Sequence, residues 1–62
     1  MMESKVSNLE LNVEVLIENN YDKQYLEDIS KDINELLLIV NNSDLEERLK
    51  NLRDKITFEM NV

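Results

Sequence analysis

The stretch Tyr25 to Val40, YLEDISKDINELLLIV, constrains the fold more than any other part of the chain. Leu26, Ile29, Ile33, Leu36 and Val40 recur at spacings of three, four, three and four, which lines them along one side of an α-helix. The run Leu36, Leu37, Leu38, Ile39, Val40 adds a second constraint. Successive residues step round a helix by about 100°, so five apolar residues in a row cover every azimuth and predict burial on all sides. A chain of 62 residues is too short to wrap a helix completely. It has no cysteine for a disulfide and no histidine for a metal, which leaves association as the source of extra stability. The run therefore predicts a homodimer, or a partner over the second face. The other reading of the run is a short buried strand.

Glycine and proline are both absent, which removes the usual residues for tight hairpins and for positive φ. Asparagine tolerates the left-handed region, and the pairs Asn19-Asn20 and Asn41-Asn42 mark the expected segment boundaries. Residues 1–62 are read as one small domain, with residues 1–6 frayed. Ser7 and Glu10 have capping-box spacing, flanked by Val6 and Leu11 as a hydrophobic staple, so a helix is expected to start at Asn8. Ser43 and Glu46 make a second such box ahead of the stripe Leu45, Leu49, Leu52, Ile56.

Two segments read both ways. As a helix, Leu9 to Ile17 gathers Leu9, Val13, Leu16 and Ile17 but puts Leu11 and Val15 on the opposite side. As a strand, Leu9, Leu11, Val13, Val15 and Ile17 alternate with polar residues, and periodicity favours this reading. Ile56, Phe58, Met60 and Val62 alternate in the same way at the other end. The expected fold is all-α, a small three-helix protein built on a helical hairpin and dimeric. A β-α-α-β dimer is the rival, weakened because a two-stranded sheet is marginal and its strands would pair across the whole chain. Leu26, Ile29, Ile33, Leu36, Leu37, Val40, Leu45, Leu49 and Leu52 are the expected core and dimer residues.

Fourteen acids against seven bases give a net charge of −7. Such a surface is repelled by nucleic-acid backbones and anionic membranes, so direct binding of either is not expected. No apolar run approaches a membrane span and no signal peptide opens the chain, which reads as soluble and cytoplasmic. The charge is uneven. Residues 1–47 hold twelve acids and three bases, whereas residues 48–62 hold two acids and four bases. In the third segment Asp44 and Arg48, Glu46 and Lys50, Lys50 and Asp54, and Lys55 and Glu59 stand four apart, as on a solvated helix face.

Glu10, Glu14 and Glu18 recur every four residues with no base between them, and Asp22 continues the spacing if the helix does. Like charges so placed repel, at a cost of a few tenths of a kcal/mol per pair. Their separation of about 6 Å is similar to that of backbone phosphates. A row of this kind can occupy the basic groove of a DNA-binding protein. Asp28, Asp32 and Glu35 form a second row, diluted by Lys31. These seven carboxylates are the expected partner-binding residues, with the bland alternative that they only keep a dimer soluble.

No catalytic residue, metal site or cofactor is expected. Without His or Cys the common general base, thiolate and imidazole ligands are missing. Asp28 and Asp32 could share a hard cation, but two ligands make a poor site. Tyr21 and Tyr25 read as packing at the rim or core, and Ser30 as a small packing residue.

Val15-Leu16-Ile17 and Tyr21, with Leu49, Leu52, Asp54, Lys55, Phe58 and Glu59, resemble the AbbA antirepressors. Those are short acidic helical proteins whose family role is to bind the DNA-binding domain of the repressor AbrB in place of DNA. The resemblance implies an all-helical dimer whose acidic side imitates phosphates. Locally, Ile29-Ser30-Lys31-Asp32-Ile33-Asn34-Glu35-Leu36 is similar to the S-Q-E-L-D segment of the helical-hairpin phosphatases of sporulation phosphorelays. Asn34 stands where that family has its aspartate, and an amide cannot act as a carboxylate on water. The second resemblance implies a signalling partner bound by a helical hairpin.

Overall fold

A computed structural model describes residues 1–19 and 22–61 and holds three α-helices. They are α1 (Met2–Glu18), α2 (Lys23–Ile39) and α3 (Ser43–Met60). No strand occurs among the described residues. The all-α expectation holds, and the β-α-α-β rival does not. The readings placed on Asn20, Tyr21 and Val62 lie outside the described residues.

Helix α1 corrects the opening of the chain. The expected frayed end is helical from Met2, and Val6 is completely buried. Ser7 is therefore five residues inside the helix and caps nothing. The controlling pattern is Met2, Val6, Leu9, Val13, Leu16 and Ile17, whose steps of four, three, four, three and one trace a helical stripe. Val6 and Val13 are buried, and the other four pack against the core. The alternation that favoured a strand came from Leu11 and Val15, which α1 leaves exposed. The far end behaves alike: Ile56 is buried and Met60 half-buried in α3, whereas Phe58 is exposed.

Helix α2 starts at Asp22, whose carboxylate accepts a hydrogen bond from Gln24 N at 3.0 Å. It ends at Val40, whose N–H donates to the Leu36 carbonyl at 2.9 Å before the backbone turns extended. Helix α3 starts at Asn42, not at the Ser43 of the expected box. Asn42 Oδ1 accepts from Leu45 N at 3.0 Å, and Ser43 is the first helical residue. Asp44 and Glu46 then sit in the first turn, where carboxylates suit the helix dipole. None of the described residues has positive φ, so Asn19 and Asn42 act in extended backbone rather than in the left-handed region.

Val6, Val13, Leu26, Ile33, Leu36, Leu49, Leu52 and Ile56 form the core between the three helices. Ile29, Leu37, Val40 and Leu45 pack against it from partly buried positions. All nine expected core residues thus touch one core, which draws also on Val6, Val13 and Ile56. Burial of the Leu36 to Val40 run is not complete: Leu38 is 86% and Ile39 69% exposed. A 17-residue helix passes through more than four turns, and two neighbours cover only part of its circumference.

Candidate functional interface

The two acidic rows end up on different seams of the bundle. Glu10 and Glu14 lie where α1 meets α3, and they line a hollow with Arg48, Asn51, Leu52 and Lys55. Arg48 Nη2 donates to Glu10 Oε1 at 2.6 Å and Arg48 Nε to Glu10 Oε2 at 3.2 Å, a forked pair. Nη2 also donates to Ser7 Oγ at 3.2 Å. These hydrogen bonds hold the Glu10 carboxyl below its ordinary range, against the smaller opposing effect of burial and with added help from the Arg48 charge. The same partner raises the Arg48 guanidinium.

Arg48 was expected to pair with Asp44 along α3 and instead reaches across to α1. One base of the third segment therefore meets the first member of the α1 row, which the even spacing of Glu10, Glu14 and Glu18 gives no reason to expect. Glu46 and Lys50 do pair within α3, at 3.1 Å. Asp22 leaves the row altogether. The α1 helix stops at Glu18, and Asp22 caps α2 instead of continuing the spacing. Glu18 is exposed near the end of α1.

Asp28, Asp32 and Glu35 stand together on exposed turns of α2, along its seam with α1. Asp28 accepts a hydrogen bond from Gln24 Nε2 at 3.1 Å. Over the seven residues from Asp28 to Glu35 the helix rises about 10 Å, so three carboxylates fall within two turns. The described residues bring together no group of three or more acidic side chains able to hold a metal ion.

Beside this row the α1 and α2 helices leave an open seam with two hollows. One, of about 270 Å³, is lined by Lys5, Asn8, Leu9, Asp32, Glu35 and Leu36. The other, of about 420 Å³, is bordered by Leu11, Val15 and Leu16 of α1 and by Tyr25, Asp28 and Ile29 of α2. Leu11 is 58%, Val15 50% and Tyr25 59% exposed. The sequence sets Leu11 and Val15 opposite the helical stripe of α1 but does not say which helix lies beside them, so the strip they form with Tyr25 is not legible from spacing alone. Their failure to join the helical stripe of α1 was the available signal.

Asn34 faces the third seam, where its Oδ1 accepts from Arg53 Nη1 at 3.3 Å. The position that resembles a phosphatase aspartate is thus occupied by a contact between α2 and α3. No helix among the described residues is long and apolar enough to cross a membrane. Comparison with protein-family models, curated proteins and solved structures found no match to this chain.

Proposed function

We propose that this chain is a small non-enzymatic regulator that binds a basic surface on a partner protein and occludes it. A DNA-binding domain of a transcription factor is the partner class that best fits, with the chain acting as an antirepressor or DNA mimic inside the cytoplasm. The observation that carries this reading is the exposed row Asp28, Asp32 and Glu35, which meets no α3 base among the described residues, whereas Glu10 of the α1 row is held by Arg48. Carboxylates one turn apart repel each other in the free protein, and a partner's Lys and Arg side chains relieve that repulsion. Association driven in this way is fast and salt-dependent.

The test is capture of partners on the immobilised chain, followed by measurement of the captured protein's DNA binding with and without it. The triple variant Asp28→Asn, Asp32→Asn, Glu35→Gln should lose the partner, and Glu10→Gln, Glu14→Gln, Glu18→Gln should lose less. Captured proteins that bind DNA equally well in the presence of the chain would sink the occlusion mechanism.

A second reading, in which the chain is an assembly or signalling protein held by its apolar surface, draws on Leu38 and Ile39. Both are more than two-thirds exposed at the end of α2, where a homodimer contact would cover them. Raising the salt to about 0.5 M separates the readings, because apolar contact survives it and carboxylate pairing weakens.

A further inference from the structure

We propose that the seam between α1 and α2 is a docking groove for a partner helix with an apolar face and basic residues along one edge. The inference deepens the occlusion reading and rests on it, since it names the shape of the basic element that is bound. Three observations converge on this occupant. First, Leu11 and Val15 stand one turn apart on one wall and Tyr25 and Ile29 one turn apart on the other. Leu11, Val15 and Tyr25 are at least half exposed and Ile29 is partly buried behind them, so the facing pairs match the anchors of an amphipathic helix laid in a groove, spaced i, i+3 or i+4, and i+7. Second, the two hollows together span Tyr25 to Leu36 along α2, and eleven residues of helix rise about 16 Å, enough for three turns of a guest. Third, its two walls differ in charge. The α2 wall carries Asp28, Asp32 and Glu35, whereas the α1 wall offers the uncharged Asn8 and Asn12, with Lys5 at the far end.

That asymmetry selects the guest. A helix with Lys or Arg along the edge facing α2 places cations against three carboxylates while its apolar face covers Leu11, Val15 and Tyr25. Its other edge meets amides and needs no charge. A second copy of this chain is a poorer guest, because it brings a molecule of net charge −7 against an acidic wall. An acidic helix is excluded on the same ground.

The test uses the full chain and two synthetic amphipathic peptides of about four turns. Both carry Leu on one face, and one carries Lys and Arg along a single edge where the other carries Glu. Backbone amide shifts on titration with the basic peptide should move at Leu11, Val15, Tyr25 and Ile29. Leu11→Asp and Tyr25→Asp should each weaken binding about tenfold or more while the helical circular dichroism is kept, since both positions are over half exposed. Asp28→Asn with Asp32→Asn and Glu35→Gln should weaken it and flatten its salt dependence. Shifts centred on the Glu10 and Lys55 seam or on Leu38 and Ile39 would overturn the proposal, as would equal affinity for the two peptides. The same holds for a wild-type self-association that Leu11→Asp abolishes, because the groove would then belong to a second copy. The wild-type shift map decides the question even if a variant fails to fold. A basic protein captured equally by wild type and by Leu11→Asp would remove the groove and leave the occlusion reading standing. Peptide seated in the groove with no loss of DNA binding by any captured protein would do the reverse.

Discussion

Arg48 of α3 grips Glu10 of α1 through two hydrogen bonds, of 2.6 and 3.2 Å, and so ties the third helix to the first across 38 residues of sequence. The Glu10 carboxyl is held below its ordinary value chiefly by those bonds, with burial opposing and the Arg48 charge assisting. A carboxyl whose native pKa is depressed gives stability that is fully present above its unfolded value and lost as pH falls through the native one. Glu10→Gln should therefore melt below wild type at about pH 7, and the gap should close as pH drops through and below the ordinary Glu value of about 4.3. Thermal melts of the two proteins over that range check this. Arg48→Lys should recover only part of the effect, because an ammonium cannot fork onto both carboxylate oxygens. A gap that persists unchanged in acid would mean that Glu10 acts by packing rather than by charge.

The centre of the bundle is the least tolerant place to lose volume. Ile33 is completely buried in α2 among residues of the other helices. Ile33→Ala should cost about 3 kcal/mol, the usual range for an aliphatic side chain cut to alanine in a packed interior. Domains of this size hold only about 3–5 kcal/mol in all, so the variant should keep about 0–2 kcal/mol and unfold at much lower urea than wild type. Urea titration followed by circular dichroism gives the comparison. A loss under 1 kcal/mol or so would show that the helices are not packed as described.

The start of α3 offers a sharper contrast between two adjacent residues. Asn42 accepts the Leu45 N–H, whereas Ser43 lies one step inside the helix. Asn42→Ala should cost about 1 kcal/mol and Ser43→Ala about half that or less, both read from the urea midpoint. The reverse order would restore the capping box expected from Ser43 and Glu46.

Where the sequence was informative, it was so through spacing along a single helix. Leu26, Ile29, Ile33, Leu36 and Val40 could be read as one face, and Leu45, Leu49, Leu52 and Ile56 as another, because both stripes keep a helical period without interruption. In α1 the same kind of stripe was overlaid by Leu11 and Val15, which supplied a period of two from residues that do not enter the core. Ser7, well placed for a cap, further hid Met2 and Val6, the first two members of that stripe. The carboxylates and the α2 row of Asp28, Asp32 and Glu35 are legible in the sequence, but the base that meets Glu10 is not. Whether Glu10 faces a partner or Arg48 depends on how α3 lies against α1, a relationship between residues 38 apart that local spacing does not encode. The groove needed the same knowledge, since its walls come from two helices.

The exposed end of α2 is a surface that a second copy could cover. Leu38 and Ile39 are adjacent, point to different sides of the helix, and are 86% and 69% exposed in the single chain. Two large aliphatic side chains in water gain about 1.5–3 kcal/mol each when a second surface covers them, a sizeable share of the stability of a chain this short. If a second copy provides that surface, sedimentation equilibrium should show a dimer, and the melting temperature should rise with protein concentration. Leu38→Glu with Ile39→Glu should then return the chain to a monomer with helical circular dichroism intact, because neither residue belongs to the core of one copy. The double variant should also be the less stable protein at high concentration and the equal of wild type at high dilution. A wild type that sediments as a monomer at every concentration, with Leu38→Ala changing stability by less than about 0.5 kcal/mol, would show that no second copy covers this end.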